Sequence, residues 1–207
     1  MNEKQDKINV YIDGANLYRG ITDLKWFLDY NKFRVWLSEK YRVNKVYIFL
    51  GLVPKYKNLY EQLQEFGYTL IFKETIYDGN GNIKGNCDAD LVLKVTKDFY
   101  ENKFDQAIIV AGDGDYACLV QFLNDKNRLR VVLAPNYKKC SILLKRTNAK
   151  ITYLNELECH LKIANIKEKA PNLDVPNQGL FRSDIKNISH NVLKVNSYPQ
   201  SLKLPIL

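Results

Sequence analysis

The sequence predicts an α/β fold: a three-layer sandwich whose mostly parallel central sheet is covered by helices on both faces. Two observations predict it. Short apolar strands alternate along the chain with segments of helical spacing. The strands are apolar on both faces, which is the pattern of a sheet buried from both sides and not of one with a wet face.

Taken in order, residues 8–12 (INVYI) form the first strand, which stops at Asp13-Gly14. Phe33, Trp36 and Leu37 mark a helix, and residues 45–50 the second strand. Leu59, Leu63 and Phe66 mark a helix that Gly67 ends, and residues 69–72 are the third strand. Across 77–84, Asp78-Gly79-Asn80-Gly81 reads as a hairpin turn or a mobile loop. Leu91, Val92, Val95 and Phe99 then mark a helix, residues 107–111 (AIIVA) a strand, and Leu119, Val120 and Leu123 another helix. Residues 129–133 (LRVVL) and 151–154 complete the sheet. From about Ala164 to Leu207 no period is sustained. Pro171, Pro176, Pro199 and Pro205 punctuate a stretch rich in Asn and Ser. The expected organisation is one domain over 1–163 followed by a weakly ordered, basic, Pro/Asn-rich tail over 164–207, with short docking segments at Leu180-Phe181 and Ile185.

Composition narrows the class of partner. Of 207 residues, 46% are apolar and 26% charged, the balance of an ordinary globular chain. No apolar run approaches the roughly 18 residues of a membrane helix. The first residues are polar and lack the apolar core of an export signal, so the expected location is the cytoplasm. Lys plus Arg number 31 against 23 Asp plus Glu, a formal charge of +8, which favours an anionic partner, nucleic acid first. Cys87, Cys118, Cys140 and Cys159 form no C-x-x-C pair, so they read as reduced thiols and not as a zinc site.

Open parallel sheets carry their sites at the carboxyl ends of strands. There the chain places acids. Asp13 follows the first strand, Asp113 and Asp115 follow AIIVA, and Asp88 and Asp90 open the third helix. If the first and fourth strands are neighbours, these carboxylates converge on one rim. Grouped carboxylates repel unless protonated or neutralised, and magnesium or manganese, which take carboxylate and water oxygens, resolve the conflict. Each acid also fits a simpler role. Asp115 before Tyr116 is placed to cap a helix, Asp88 or Asp90 to cap the third helix, and Asp13 to make a turn. Helical register ranks the pair: Asp88 heads the stripe Leu91, Val92, Val95 and Phe99, whereas Asp90 heads Lys94, Lys97 and Asp98, read as a solvated face.

Several chemistries are excluded. No G-x-G-x-x-G or G-x-x-x-x-G-K-[ST] follows a strand, and no G-x-S-x-G is present. An aspartyl-phosphatase nucleophile motif would need an acid at Ala15. His160 and His190 stand late in the chain without an evident Ser or Cys partner and read as surface or packing residues.

Three segments, Tyr11-Ile12-Asp13-Gly14-Ala15-Asn16-Leu17, Lys84-Gly85-Asn86-Cys87-Asp88-Ala89-Asp90-Leu91 and Ala111-Gly112-Asp113-Gly114-Asp115-Tyr116, together resemble the NYN domain, a branch of the PIN-like nuclease superfamily. Their order and spacing are similar to its I-D-G-x-N, K-G-x-x-D and S-G-D-G-D-F blocks, over about residues 6–160. The resemblance implies a Rossmann-like fold and a metal-dependent endoribonuclease using Mg2+ or Mn2+. It implies that Asp13, Asp88, Asp113 and Asp115 are the acidic metal-site residues, with Asp90 as a further candidate. Asn16 is implied to orient a ligand or a neighbouring acid. Two positions depart from the family: Ala111 stands where serine is common, and Lys94 where many members carry an acid.

The expected substrate is single-stranded RNA. Lys84, Lys138 and Lys139 are candidate phosphate contacts, and Arg19, Tyr18 and Tyr77 candidate stacking or backbone contacts. The competing expectation is a non-catalytic RNA-binding or partner-recruiting module with a nuclease-like fold. A homodimer is compatible with the sequence and not required by it.

Overall fold

The computed structural model describes residues 6–73, 76–77, 83–84 and 87–163. The expected tail at 164–207, His190 and the docking segments lie outside the described residues, as do the side chains of Tyr77 and Lys84.

Strand β1 (Ile8–Asp13) runs directly into helix α1 (Gly14–Thr22), followed by α2 (Tyr30–Tyr41), β2 (Lys45–Gly51), α3 (Lys57–Glu65) and β3 (Thr69–Lys73). Two-residue strands β4 (Ile76–Tyr77) and β5 (Ile83–Lys84) pair antiparallel, and the expected turn or loop residues Asp78-Gly79-Asn80-Gly81 lie outside the described residues. The chain continues through α4 (Asp88–Tyr100), β6 (Gln106–Val110), α5 (Ala117–Asp125), β7 (Leu129–Ala134), α6 (Ile142–Arg146), β8 (Ile151–Tyr153) and α7 (Glu158–Leu161).

Six strands form one sheet in the order β3-β2-β1-β6-β7-β8, every neighbouring pair parallel. From β1 the chain builds outward to β2 and β3. It then returns to the other side of β1 with β6 and builds outward again to β7 and β8. The order therefore reverses between β1 and β6, which makes their carboxyl ends the switch point where such folds bind ligands.

Alternation along β1 assigns the two layers. Val10 and Ile12 face the layer of α1, α2 and α3, where Leu17, Phe33, Leu37 and Leu63 are buried with them. Tyr11 faces the other layer with Leu91 and Val95 of α4 and Val120 and Leu123 of α5. Asn9 and Asp13 share the parity of Tyr11, so β1 turns a row of polar side chains toward the α4 layer, and both are buried. The close approach of α1 to β2 explains Gly14. A Cβ there would lie 2.8 Å from the Phe49 carbonyl oxygen, so a side chain would push the first turn off the sheet.

The structure corrects one register assignment. Asp98 does not lie on a solvated face; it is 2% exposed. Lys94 Nζ sits 2.6 and 2.7 Å from its two carboxylate oxygens, and the Tyr11 hydroxyl donates to it at 2.8 Å. A buried carboxylate requires such partners. Asp98 is Leu91 plus seven and Val95 plus three, so helical geometry puts it on the inward stripe beside them and not on the face of Asp90 and Lys97.

Candidate active site

Asp13 is the last residue of β1 and caps α1, its Oδ1 accepting from the Asn16 amide at 2.9 Å. Its other oxygen, Oδ2, lies 3.0 Å from the hydroxyl of Tyr116, a fully buried residue on the single 3-10 turn Gly114–Tyr116 before α5. The same hydroxyl lies 2.5 Å from Oδ1 of Asp88, the first residue of α4. Three elements thus bring two carboxylates onto one phenol at the switch point. A hydroxyl has one proton, so it cannot fully satisfy both anions at once.

The electrostatics follow from that crowding. Burial pushes the Asp13 carboxyl up from its ordinary 3.8 to about 6; the Asn16 amide opposes this, and the Asp88 charge adds to it. Burial, then the Asp13 charge, drives the Tyr116 hydroxyl far above its ordinary range, so it remains a donor. Cys87, immediately before α4, is pushed up to about 12 by burial and then by Asp13, Asp90 and Asp88, so it stays a thiol.

The other expected acids take distinct positions. Asp113 caps its own turn, accepting from the Asp115 amide at 3.3 Å, so the capping anticipated for Asp115 belongs to Asp113. Asp115 is exposed, and its carboxyl is raised, chiefly by the Asp113 charge. Neither Asp88 nor Asp90 caps α4, whose N-cap is Cys87 without a side-chain bond; both stand in the first turn, where the helix dipole favours anions. Asp90 pairs with Lys73 Nζ at 2.9 Å. Asn16 touches both an acid and the Asp113 loop: its backbone amide donates to Asp13, and its side-chain Oδ1 accepts from the Gly112 amide at 2.8 Å.

Lys94 is held by Asp98 and stands 4.6 Å from the Tyr47 ring centre. Ala111 is fully buried in the apolar layer. Tyr18 is a correction, because at 7% exposure its ring packs inside the fold and offers no face to a base. Arg19 donates to the Ala15 carbonyl at 3.3 Å and adds positive charge near Asp13. Lys138 and Lys139 are exposed on the turn Tyr137–Lys139, Lys139 pairing with Asp23 at 3.0 Å. His160 is exposed, as a surface residue should be.

Sequence reasoning assigned no role to Tyr116. Its signal was present: an aromatic residue carrying a hydroxyl directly after two acids, where the family block has Phe.

Among the described residues, no three Asp, Glu, Cys or His side chains gather as a ready ligand set for one metal ion. The donors present are nevertheless hard oxygens, two of them drawn onto one phenol, with Asp13 raised chiefly by burial and further by the Asp88 charge. That chemistry fits a largely hydrated cation such as Mg2+, which takes one or two carboxylates and completes its shell with water and substrate phosphate.

A fully parallel sheet whose order reverses between β1 and β6, with two carboxylates at that point, defines a Rossmann-like α/β domain. The chain belongs to the NYN domain family, whose profile matches residues 7–155. Among solved structures, a protein of unknown function, VPA0982 from Vibrio parahaemolyticus RIMD 2210633, is 20% identical with a TM-score of 0.66, covering 79% of this chain and 99% of that one. The D15 protein of T5, co-crystallized with metal ions, is 12% identical with a TM-score of 0.37, covering 91% and 87%. The bacteriophage T5 D15 flap endonuclease in a pseudo-enzyme-product complex with DNA and metal ions is 11% identical with a TM-score of 0.39, covering 91% and 87%. The first likeness is one of fold. A search of curated proteins found no match. No helix among the described residues is long and apolar enough to cross a membrane.

Proposed function

We propose that this chain is a metal-dependent endoribonuclease that hydrolyses phosphodiester bonds of single-stranded RNA. The observation that carries the reading is the meeting of Asp13 and Asp88, from separate elements, on one buried hydroxyl at the switch point. Asp13 and Asp88 would hold a Mg2+ or Mn2+ ion, with Asp113 and Asp115 completing the acidic rim and Asp90, already paired with Lys73, at its margin. When bound, such a cation supplies Lewis acidity toward the phosphate and toward water.

The chain's own groups do the positioning. Tyr116 and the Asn16 amide fix the two oxygens of Asp13, and Tyr116 fixes Asp88. Asn16, through Gly112, holds the loop that presents Asp113 and Asp115. Asp115, outermost and raised by Asp113, orients the attacking water on the solvent side.

A second reading, an RNA-binding module that does not cut, has specific support. Lys94 stands where many family members carry an acid, and its charge is committed to Asp98. Incubating the protein with labelled single-stranded RNA in Mn2+, in Mg2+ and in chelator separates the two, with Asp13→Asn alongside. Metal-dependent cutting that falls at least a hundredfold in the variant is the expected result. Retention of RNA without cutting in either metal would leave the binding module.

A further inference from the structure

We propose that α6 and the turn before it form a platform for an unpaired nucleic-acid strand leading into the acidic rim; the proposal rests on the nuclease reading for what the strand is delivered to. Four Lys or Arg, at 138, 139, 145 and 146, stand on α6 and the turn before it with no Asp or Glu among them; the other four basic residues of 126–155 lie at the amino ends of β7 and β8, away from the rim. Leu144 is fully buried and anchors α6, which turns Ile142, Leu143, Lys145 and Arg146 outward. Ile142 is 59% exposed, Leu143 49% and Tyr137 54%, three large apolar side chains set among cations. Tyr137 is held edge-on by Tyr153, ring centres 4.9 Å apart, with Lys145 Nζ 4.7 Å from its ring centre. A half-exposed tyrosine braced by a neighbouring ring, with a lysine over one face, set beside exposed Ile142 and Leu143, meets the two needs of a single strand, a surface for bases and charge for phosphates.

The platform adjoins the site. The Ser141 amide donates to the Gly112 carbonyl at 2.9 Å. A Cβ added at Gly114 would meet Ser141 Oγ at 2.5 Å and Leu143 Cδ1 at 3.1 Å, so Leu143 packs against the residue between Asp113 and Asp115. Leu143 and Ser141 thus stand against the loop that carries Asp113 and Asp115. Charge complementarity fixes the occupant as a polyanion, and the exposed apolar side chains select one whose bases are unpaired. In a duplex those bases are stacked on one another and turned inward.

The test measures binding of the full chain in chelator, by fluorescence anisotropy, over a range of salt. The probes are one labelled 20-nucleotide sequence as single-stranded RNA, as single-stranded DNA and as RNA duplex. Both single strands are expected to bind within a few-fold of each other and the duplex more weakly. Y137A/L143S is expected to lose roughly tenfold in single-strand affinity with its salt slope unchanged. K138A/K145A is expected to lose affinity and to flatten the slope by about 1.4, two contacts at roughly 0.7 each. Far-UV circular dichroism checks folding, and either variant alone suffices should the other not fold. Wild-type affinity in the variants, duplex binding as tight as single-strand binding, or no retention of single strands would each overturn the platform. Cutting in Mn2+ is scored separately. Protein that cuts RNA while the variants bind normally loses the platform and keeps the nuclease reading. Protein that binds through this surface and cuts in neither metal keeps the platform and loses the nuclease.

Discussion

One phenol holds together two carboxylates that would otherwise repel, and the consequence is testable at a single oxygen atom. Replacing Tyr116 with Phe removes the donor shared by Asp13 and Asp88 and leaves the ring in place. A hydrogen bond to a charged group contributes about 1.5–3 kcal/mol, so the variant should be destabilised by about that amount in chelator, read from urea unfolding. Unchanged stability would mean that the hydroxyl is not the tie. Asn16→Ala should cost about 1 kcal/mol by removing the acceptor of the Gly112 amide, and should slow cleavage at least tenfold by releasing the loop that carries Asp113. Single-turnover assays at saturating RNA would register that slowing. The convergence of Asp13 and Asp88 was legible because strand ends and helix starts are local features, and the topology need only place them on one rim. The hydroxyl of Tyr116 was visible beside the acids, but its role was not, since a buried aromatic reads as core until α4 is known to bring Asp88 onto it. Tyr18 failed for the same reason in reverse: α1 turns its ring inward.

At the level of elements, α4 is a helix with work at both ends. Its first turn presents Asp88 to the rim, and its last buries Asp98 against Tyr11 on β1. Lys94, half a helix away from either role in sequence terms, neutralises the buried end. Lys94→Met should therefore leave an uncompensated buried carboxylate and cost about 2–4 kcal/mol, discounted from a fully buried pair because Lys94 is 28% exposed. The double variant Lys94→Met/Asp98→Asn should recover most of that loss in urea unfolding. A single variant as stable as the wild type would show that water, not Lys94, satisfies Asp98. The strands and α2 to α5 were readable because each carries a sustained apolar period. Helices α6 and α7 were not, since five and four residues are too few to display one. Helix α1 was hidden for another reason: it begins on the residue after β1, with glycines at positions 14 and 20, and its start is set by the Asp13 cap and the contact of Gly14 with β2.

For the whole molecule, the sheet order concentrates buried negative charge at one point of a chain whose net charge is positive. Such a site costs stability, and the cost has a pH signature. Asp13 binds its proton more tightly folded, at about 6, than its ordinary 3.8. Its contribution is therefore fully present below about pH 4 and is lost as pH rises through about 6, a difference of about 3 kcal/mol at the upper limit. Asparagine at position 13 keeps an acceptor for the Asn16 amide and carries no charge. Asp13→Asn should then match the wild type near pH 4 and melt several degrees higher at pH 7 in chelator, since a chain of this size shifts about 2–4 °C per kcal/mol. Millimolar Mg2+ or Mn2+ at pH 7 should raise the wild-type midpoint and leave the variant's where it was, because only the carboxylate gains from neutralisation. Scanning calorimetry at pH 4, 5, 6 and 7, with and without the cation, reads both effects without reference to RNA. A variant that melts below the wild type at pH 7 in chelator would place the cost of buried charge somewhere other than Asp13. A cation that shifts both proteins equally would place its binding elsewhere, independently of whether the protein cuts RNA.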